Sequence, residues 1–173
     1  MNLAKRCVVF VAACVGVALV FSTGCSGYRV ESAYRGDVVT VAVPIWENAT
    51  FDYGLETQLT DALIKEIHRT TPYKVVANPA ADTALTGAIR ATDLAKLVGD
   101  SDTGLVQELG YTITVDFEWK RSRDGEVLVA RRGYQGAGSF VPDRDASERI
   151  EMGQRRAVDR LAKSIVAELR SGW

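Results

Sequence analysis

The amino-acid sequence predicts an α+β fold, with a mixed sheet of four to five strands and two helices packed on one face of it. Residues 38–44 form a β-branched run that is typical of an interior strand. Residues 111–120 alternate strictly between apolar and polar side chains, which is typical of a strand with one buried face. Two further stretches, 55–70 and 147–170, carry apolar residues at helical spacing. We therefore expect a single α/β sandwich domain over residues 38–173.

The chain begins with a segment that is typical of an exported protein. Lys5 and Arg6 precede an apolar run over residues 7–21, and small residues follow it. This run is shorter than the roughly 20 apolar residues that a membrane-spanning helix needs. Residues 1–24 are therefore predicted to be a lipoprotein signal peptide that is cleaved after Gly24.

Cys25 follows the predicted cleavage position. The stretch Phe21-Ser22-Thr23-Gly24-Cys25 resembles the lipobox of bacterial lipoproteins, which implies that lipid is attached to Cys25. Ser22 departs from the aliphatic residue that usually occupies its position. A normally cleaved signal and a short uncleaved anchor are the alternatives.

The cysteine and charge content of the mature chain agree with export. The cysteines are Cys7, Cys14 and Cys25, and cleavage removes the first two. Because no cysteine pair remains, the mature chain cannot form an internal disulfide, and acylation would consume the last thiol. The mature chain keeps 19 basic and 22 acidic residues, a net charge of −3, which argues against nucleic acid as a partner.

Residues 25–37 are predicted to form a lipidated N-terminus and a short tether. They have mixed polar, Gly and Tyr composition without a helical period. Even a fully extended chain from Cys25 to Val38 spans only about 45 Å. We therefore expect the folded body to lie near the membrane.

A strand, a helix and a second strand follow the tether. The strand at 38–44 is almost continuously apolar, which predicts burial on both faces. The helix at 55–70 ends before Pro72, and its apolar stripe consists of Leu55, Leu59, Ala62, Leu63 and Ile67. Residues 73–77 are predicted to form a short strand. This order implies a parallel pair of strands joined by a right-handed crossover.

The loop between the first strand and the first helix carries three aromatic residues, Trp46, Phe51 and Tyr53. They form either a contact surface or a cover over the sheet edge, and the sequence does not separate the two. The pattern Asn48-Ala49-Thr50 is interpreted as turn chemistry.

A long hairpin follows. Residues 82–98 predict a strand, and turn residues at 99–104 predict that it folds back onto the alternating strand. The buried face of that strand consists of Tyr111, Ile113, Val115, Phe117 and Trp119. Asp124-Gly125 predicts a second tight turn.

The last part of the chain is predicted to be a returning strand and a helix. Residues 126–132 return antiparallel, and an irregular continuation to Val141 is expected because Gly133, Gly136 and Gly138 predict bulges. The final helix, at 147–170, carries a core face of eight residues: Ile150, Ala157, Val158, Leu161, Ala162, Ile165, Val166 and Leu169.

The sequence predicts no enzyme, no metal site and no cofactor. His68 is the only histidine and flanks an apolar helical stripe, where histidine is normally a surface residue. Asp116 and Glu118 share the outward face of a strand, where carboxylates are ordinary. Asp100 and Asp102 lack the later acidic ligands of a calcium loop.

A basic cluster is the one candidate binding site. Lys120, Arg121, Arg131 and Arg132, with Arg123 beside them, lie within a short stretch of a net acidic chain. Such a group could hold phosphates by charge-assisted hydrogen bonds. A solvated hairpin tip, interspersed with Asp124 and Glu126, is the alternative.

The order of motifs resembles the LptE family of lipopolysaccharide-assembly lipoproteins. The residues that carry the resemblance are Gly24-Cys25-Ser26-Gly27-Tyr28-Arg29-Val30, Val41-Ala42-Val43-Pro44-Ile45-Trp46-Glu47-Asn48, Leu55-Glu56-Thr57-Gln58-Leu59-Thr60-Asp61-Ala62-Leu63, Arg69-Thr70-Thr71-Pro72-Tyr73, Leu85-Thr86-Gly87 and Gly125-Glu126-Val127-Leu128. The resemblance implies a four-stranded sheet with two helices and a lipid anchor in the outer membrane, on its periplasmic side. It also implies that the body plugs an LptD-type β-barrel and helps to deliver lipopolysaccharide to the outer leaflet. Any contact with this anionic glycolipid is predicted for the basic cluster.

A second class of envelope lipoprotein stays open. The run Val41-Ala42-Val43-Pro44, followed by Glu47-Asn48 and a helix, is also similar to lipoproteins that activate peptidoglycan synthases or build secretion pores. An activator of this kind must reach across the periplasm, which requires a long linker. The short tether favours a partner in or at the outer membrane.

Overall fold

The computed structural model describes residues 34–77, 80–99, 106–141 and 146–170. The predicted signal peptide, its cleavage position at Gly24 and the lipidation site at Cys25 lie outside these residues, as does most of the predicted turn at 99–104. Among the residues described, no helix has both the length and the apolar character needed to cross a membrane.

The sheet has six strands, one more than the upper end of the prediction. They are β1 (Thr40–Ala42), β2 (Glu47–Asn48), β3 (Lys74–Val75), β4 (Thr83–Gly99), β5 (Val106–Arg121) and β6 (Val127–Phe140). The strand order is β3-β1-β4-β5-β6, and β2 pairs with β4 beside this path. β1 runs parallel to both β3 and β4, whereas β4, β5 and β6 are antiparallel neighbours. The mixed sheet of the α+β prediction is therefore confirmed.

Two helices, α1 (Leu55–Thr70) and α2 (Ala146–Glu168), cover one face of the sheet. The predicted stripe of α1 is confirmed, since Leu59, Leu63 and Ile67 are fully buried. On α2, Leu161 and Ile165 are also fully buried, and this helix packs over β5 and β6. The helices contact each other as well, so that the core lies between the helix layer and the sheet.

The alternation of β5 is confirmed along its whole predicted length. Its odd-numbered side chains are buried in the core, and its even-numbered side chains are half-buried on the opposite face. Because successive side chains of a strand point to opposite sides, one face of the sheet supports the helices and the other stays open.

β1 departs in part from its prediction. Val41 and Ala42, which are successive and face opposite sides, are both buried, so the centre of the strand is buried on both faces as expected. Val39, at the beginning of the run, is 55% exposed, and burial on both faces is wrong there. Pro44 separates β1 from β2, and the two short strands pair in succession with β4.

Two of the three predicted bulges are wrong. Gly133 has a positive φ of 60° and lies where the register between β5 and β6 shifts, so a bulge is present there. The register is regular at Gly136 and Gly138. A Cβ atom on Gly136 would lie 2.6 Å from Leu161 Cβ, and one on Gly138 would lie 2.6 Å from the Ala157 nitrogen. These two glycines therefore allow α2 to approach β6.

Candidate functional site

The bulge at Gly133 organises the open face of the sheet around Asp116. The Gly133 N–H donates to Asp116 Oδ1 at 2.9 Å, and Arg90 Nε donates to Asp116 Oδ2 at 2.8 Å. The hydrogen bond from Gly133 is the largest cause that holds the pKa of Asp116 below its usual value, and Arg90 lowers it further. Asp116 is therefore an ionised anchor in a basic surrounding.

A pocket of about 350 Å³ lies beside this bulge, and three arginines contribute to its wall. They are Arg90 of β4 and the neighbours Arg131 and Arg132 of β6, and Glu118 lines the same pocket. The sequence prediction missed Arg90, because only the pairing of β4 with β5 brings it next to Asp116.

Arg131 and Arg132 differ in what they already contact. Arg131 Nη2 donates to Glu168 Oε2 of α2 at 2.6 Å, so this guanidinium is ion-paired. Arg132 is exposed, and among the described residues it has no hydrogen bond or ion pair, although its charge lowers the pKa of Asp116. Arg132 is thus the arginine of this pocket that is most available to an anionic ligand.

The other two predicted binding residues lie outside this pocket. Arg121 is only 13% exposed and donates to Glu126 and, at 2.6 Å, to Asp37 Oδ2. Lys120 is paired with Glu118 at 2.5 Å on the open face. The predicted basic cluster therefore divides into the bulge pocket and a separate group at the turn, and its binding of glycolipid stays a prediction.

The three loop aromatics also divide. Trp46 is buried, stacks on Phe117 with ring centres 6.3 Å apart, and covers Gly87, where a Cβ would lie 2.6 Å from the indole. Phe51 and Tyr53 are 92% and 90% exposed. Trp46 therefore covers the sheet, whereas the other two rings project into solvent, and their use as a contact surface stays a prediction.

The loop that carries Phe51 and Tyr53 is held by its own hydrogen bonds. Asn48 Nδ2 donates to the Asp52 carbonyl oxygen at 3.0 Å and to Glu56 at 2.8 Å, while Asn48 Oδ1 accepts from the amide and hydroxyl of Thr50. The prediction of turn chemistry at Asn48-Ala49-Thr50 is confirmed. Tyr111 Oη donates to Asp52 Oδ2 at 2.5 Å, which ties the loop to β5. Burial raises the pKa of this tyrosine, and the bond to Asp52 raises it further.

Comparison with protein-family models identifies the family. The model described as LptE, lipopolysaccharide-assembly, matches residues 38–169, which is most of the chain. The chain belongs to the LptE family. Membership supports a role as an outer-membrane lipoprotein in lipopolysaccharide assembly. A search of curated protein sequences finds no match.

Solved structures with low sequence identity share the fold of this LptE-family chain. A protein from Xanthomonas campestris aligns with a TM-score of 0.53 at 12% identity, covering 79% of this chain and 89% of its own. A Caulobacter crescentus protein named as a lipoprotein aligns with 0.52 at 14% identity, covering 75% and 86%. A hypothetical protein from Chlamydia trachomatis aligns with 0.51 at 8% identity, covering 76% and 98%. These similarities show the fold alone.

The LptE-family domain offers no metal site within the ranges that the structure describes, where no group of three or more His, Cys, Asp or Glu residues could hold an ion. His68 lies exposed in the last turn of α1. The described surface presents arginines at the bulge and exposed aromatic rings at the loop.

Proposed function

We propose that this protein is anchored to the outer membrane through lipid on Cys25 and binds an LptD-type β-barrel in lipopolysaccharide assembly at the cell surface. The observation that carries the proposal is the match of the LptE family model to residues 38–169, which is almost the whole predicted domain. The mature chain would face the periplasm, with its body close to the inner leaflet.

The way the chain joins the domain shortens the tether further and supports a nearby partner. Tyr34 Oη donates to the Thr70 carbonyl oxygen at 2.7 Å, and the Arg35 N–H donates to Tyr73 Oη at 3.0 Å. The chain is therefore attached to the body by Tyr34, only nine residues after Cys25. Nine residues span at most about 32 Å, which is too short for an activator that must cross the periplasm.

We further propose that the basic residues contact the phosphates of lipopolysaccharide, with Arg132 as the first contact. Arg132 needs to release no carboxylate, whereas Arg131 would have to exchange Glu168 for the ligand. Lys120 and Arg121 would likewise have to exchange their present carboxylates. Arginine holds phosphate through directional, charge-assisted bonds, so the contribution should follow this order.

Affinity purification of the membrane-solubilised protein tests the barrel proposal. We expect the wild-type protein to recover an outer-membrane barrel and to carry lipid on Cys25 by mass spectrometry. The Cys25→Ala variant should lose the outer-membrane location or remain an unprocessed precursor. Recovery of a peptidoglycan synthase without a barrel would favour the activator class, and an unmodified thiol on a processed chain would exclude lipid anchoring.

A charge-reversal pair tests the glycolipid proposal. Arg132→Glu should weaken binding of purified lipopolysaccharide to the solubilised protein, and the remaining binding should depend less on salt. Arg123→Glu is the matched control, because Arg123 is exposed at the turn and lies outside the bulge pocket. Equal binding by both variants and the wild type would leave the arginines as solvated surface residues.

A further inference from the structure

Phe51 and Tyr53 form a projecting pair of rings, which we name the aromatic knuckle. Their exposures of 92% and 90% are the largest of any exposed large hydrophobic side chain in the described residues. Single exposed apolar residues are ordinary, but two rings that lie two residues apart on one loop and are both held almost fully in water indicate an interaction surface. Aromatic side chains also supply much of the affinity at protein interfaces.

The hydrogen bonds that hold the loop do not involve these rings. The hydrogen bonds of Asn48 fix the backbone on both sides of Phe51, and Tyr111 fixes Asp52, which stands between the two rings. Gly54 adopts a positive φ of 83° and allows α1 to begin immediately after Tyr53. The rings are thus pre-organised, which lowers the entropy that a partner must remove on binding.

Apolar and acidic surface surrounds the knuckle. Leu94 lies opposite Tyr111 in the register of β4 and β5 and is 47% exposed. Tyr53 also lines a groove of about 630 Å³ between α1 and α2. The carboxylates of this groove outnumber its cations, with Asp61, Glu151 and Asp159 against Lys65 and Arg155.

Asp52 and Glu56 beside the knuckle add to this acidic character. The hydrogen bonds that Glu56 receives from its own backbone N–H and from Asn48 lower its pKa, so it is ionised at neutral pH. An apolar pair inside an acidic rim is complementary to an apolar pocket inside a basic rim. It is a poor match for anionic lipid headgroups, which would be repelled by these carboxylates.

The knuckle and the point where Tyr34 joins the domain lie at opposite ends of α1. The chain joins the domain beside Thr70, at the C-terminal end of α1, whereas the knuckle precedes Leu55, at the N-terminal end. A helix of 16 residues is about 24 Å long. The knuckle therefore lies at the end of α1 that is remote from the tether.

We infer that Phe51 and Tyr53 insert into an apolar, basic-rimmed pocket of a protein partner and, resting on the proposed function, that this partner is the outer-membrane barrel. The contact is independent of the arginines at the bulge pocket. The knuckle and its rim provide affinity for the barrel, and the bulge pocket provides contact with the glycolipid.

The test compares full-length lipidated variants co-expressed with the barrel and purified in detergent. The double variant Phe51→Ser, Tyr53→Ser should bind the barrel roughly thirtyfold more weakly, the loss expected when an interface hot spot is removed. Val127→Ser is the matched control, because it removes a half-exposed apolar side chain near the turn group instead. Its affinity for the barrel, and the thermal stability of all variants, should match the wild type.

The outcomes separate the inference from the proposed function. Wild-type affinity in the double variant overturns the knuckle contact while barrel binding stands. Failure of the wild-type protein to bind the barrel overturns both. A fluorescent label attached to the Phe51→Cys variant should report less polar surroundings when the barrel is added. If phosphatidylethanolamine–phosphatidylglycerol vesicles without barrel cause the same change, the protein contact is overturned in favour of a lipid surface.

Discussion

Replacing Gly138 by Ala tests the closest contact between the sheet and its helix layer. The added methyl group would overlap most with the Gly153 carbonyl oxygen and would lie 2.6 Å from the Ala157 nitrogen, whereas ordinary contact begins at 3.4 Å. These two nearest atoms belong to the backbone of α2, so no side-chain rotation can relieve the overlap. The helix must therefore move away from β6 by about an ångström, along a face that packs on both β5 and β6.

The expected loss follows from the cost of overpacking. Inserting a methylene group into a well-packed core costs about 1–3 kcal/mol, and a backbone clash belongs in the upper half of that range. A loss of about 2–3 kcal/mol is a large part of the roughly 5–15 kcal/mol that stabilises a domain. For a chain of this size it lowers Tm by roughly 4–12 °C. Urea and thermal unfolding of the mature chain, followed by circular dichroism, measures both quantities.

Gly36→Ala provides the matched control for this experiment. A Cβ on Gly36 would meet nothing within 4 Å, and its φ is not positive. The substitution should leave the free energy of unfolding unchanged or raise it by up to about 1 kcal/mol, because Ala reduces the entropy of the unfolded chain. If Gly138→Ala were as stable as Gly36→Ala, the close approach of α2 to β6 would be refuted.

Three further predictions follow from named contacts. Phe117→Ala should cost about 3–5 kcal/mol of unfolding free energy, whereas Glu118→Ala on the opposite face should cost less than about 1 kcal/mol; equal losses would reverse our assignment of the faces of β5. The Asp82 carboxylate accepts hydrogen bonds from the hydroxyl and amide of Thr40 and from the amide of Val39, which hold its pKa below the usual value. Its stabilisation is therefore present above pH of about 4 and is lost as the pH falls through the lowered pKa. Asp82→Asn should flatten the acid limb of the stability–pH profile, and an unchanged limb would contradict this. Tyr111→Phe removes the bond to Asp52, so hydrogen exchange should accelerate in the aromatic loop while the α1 core keeps its protection.

The periodic elements could be predicted from sequence because the spacing of their apolar residues also determines which side chains pack in the core. From Tyr111 to Trp119, each odd-numbered residue of β5 meets the same core, so the alternation that predicts the strand also identifies its buried side. The stripe of α1 behaves in the same way. β3 lies within the strand predicted at 73–77. The two-residue strand β2 carries too little sequence for a pattern of its own, and its position follows from pairing with β4.

The sequence pattern could not predict which elements distant in the chain lie close together in the fold. A glycine in a strand signals either a bulge or a close neighbour, and only the position of α2 decides between them. Gly133 has the positive φ of a bulge, whereas Gly136 and Gly138 meet a helix that begins later in the chain. The local signal is the same at all three positions.

The basic residues divide into two groups in space for two geometric reasons. Arg121 and Arg131 lie on opposite sides of the turn, and each residue along a strand adds about 3.3 Å of separation from it. Successive side chains also face opposite sides, so Arg131 reaches Glu168 on the helix side while Arg132 stands on the open face near Asp116. Proximity in sequence therefore overestimated proximity in space.

The exposed edge of β6 bears on the choice between a barrel partner and a self-assembled pore. β6 pairs only with β5 among the described strands, and such an edge can template another strand. Two arginines of α2 donate hydrogen bonds to two carbonyl oxygens of β6: Arg156 to that of Ser139 at 2.8 Å and Arg160 to that of Ala137 at 3.1 Å. Four helical residues rise about 6 Å and two strand residues about 6.7 Å, so the spacing of the arginines matches that of the carbonyls. These two carbonyls are therefore already engaged, which disfavours strand pairing between copies along this part of β6.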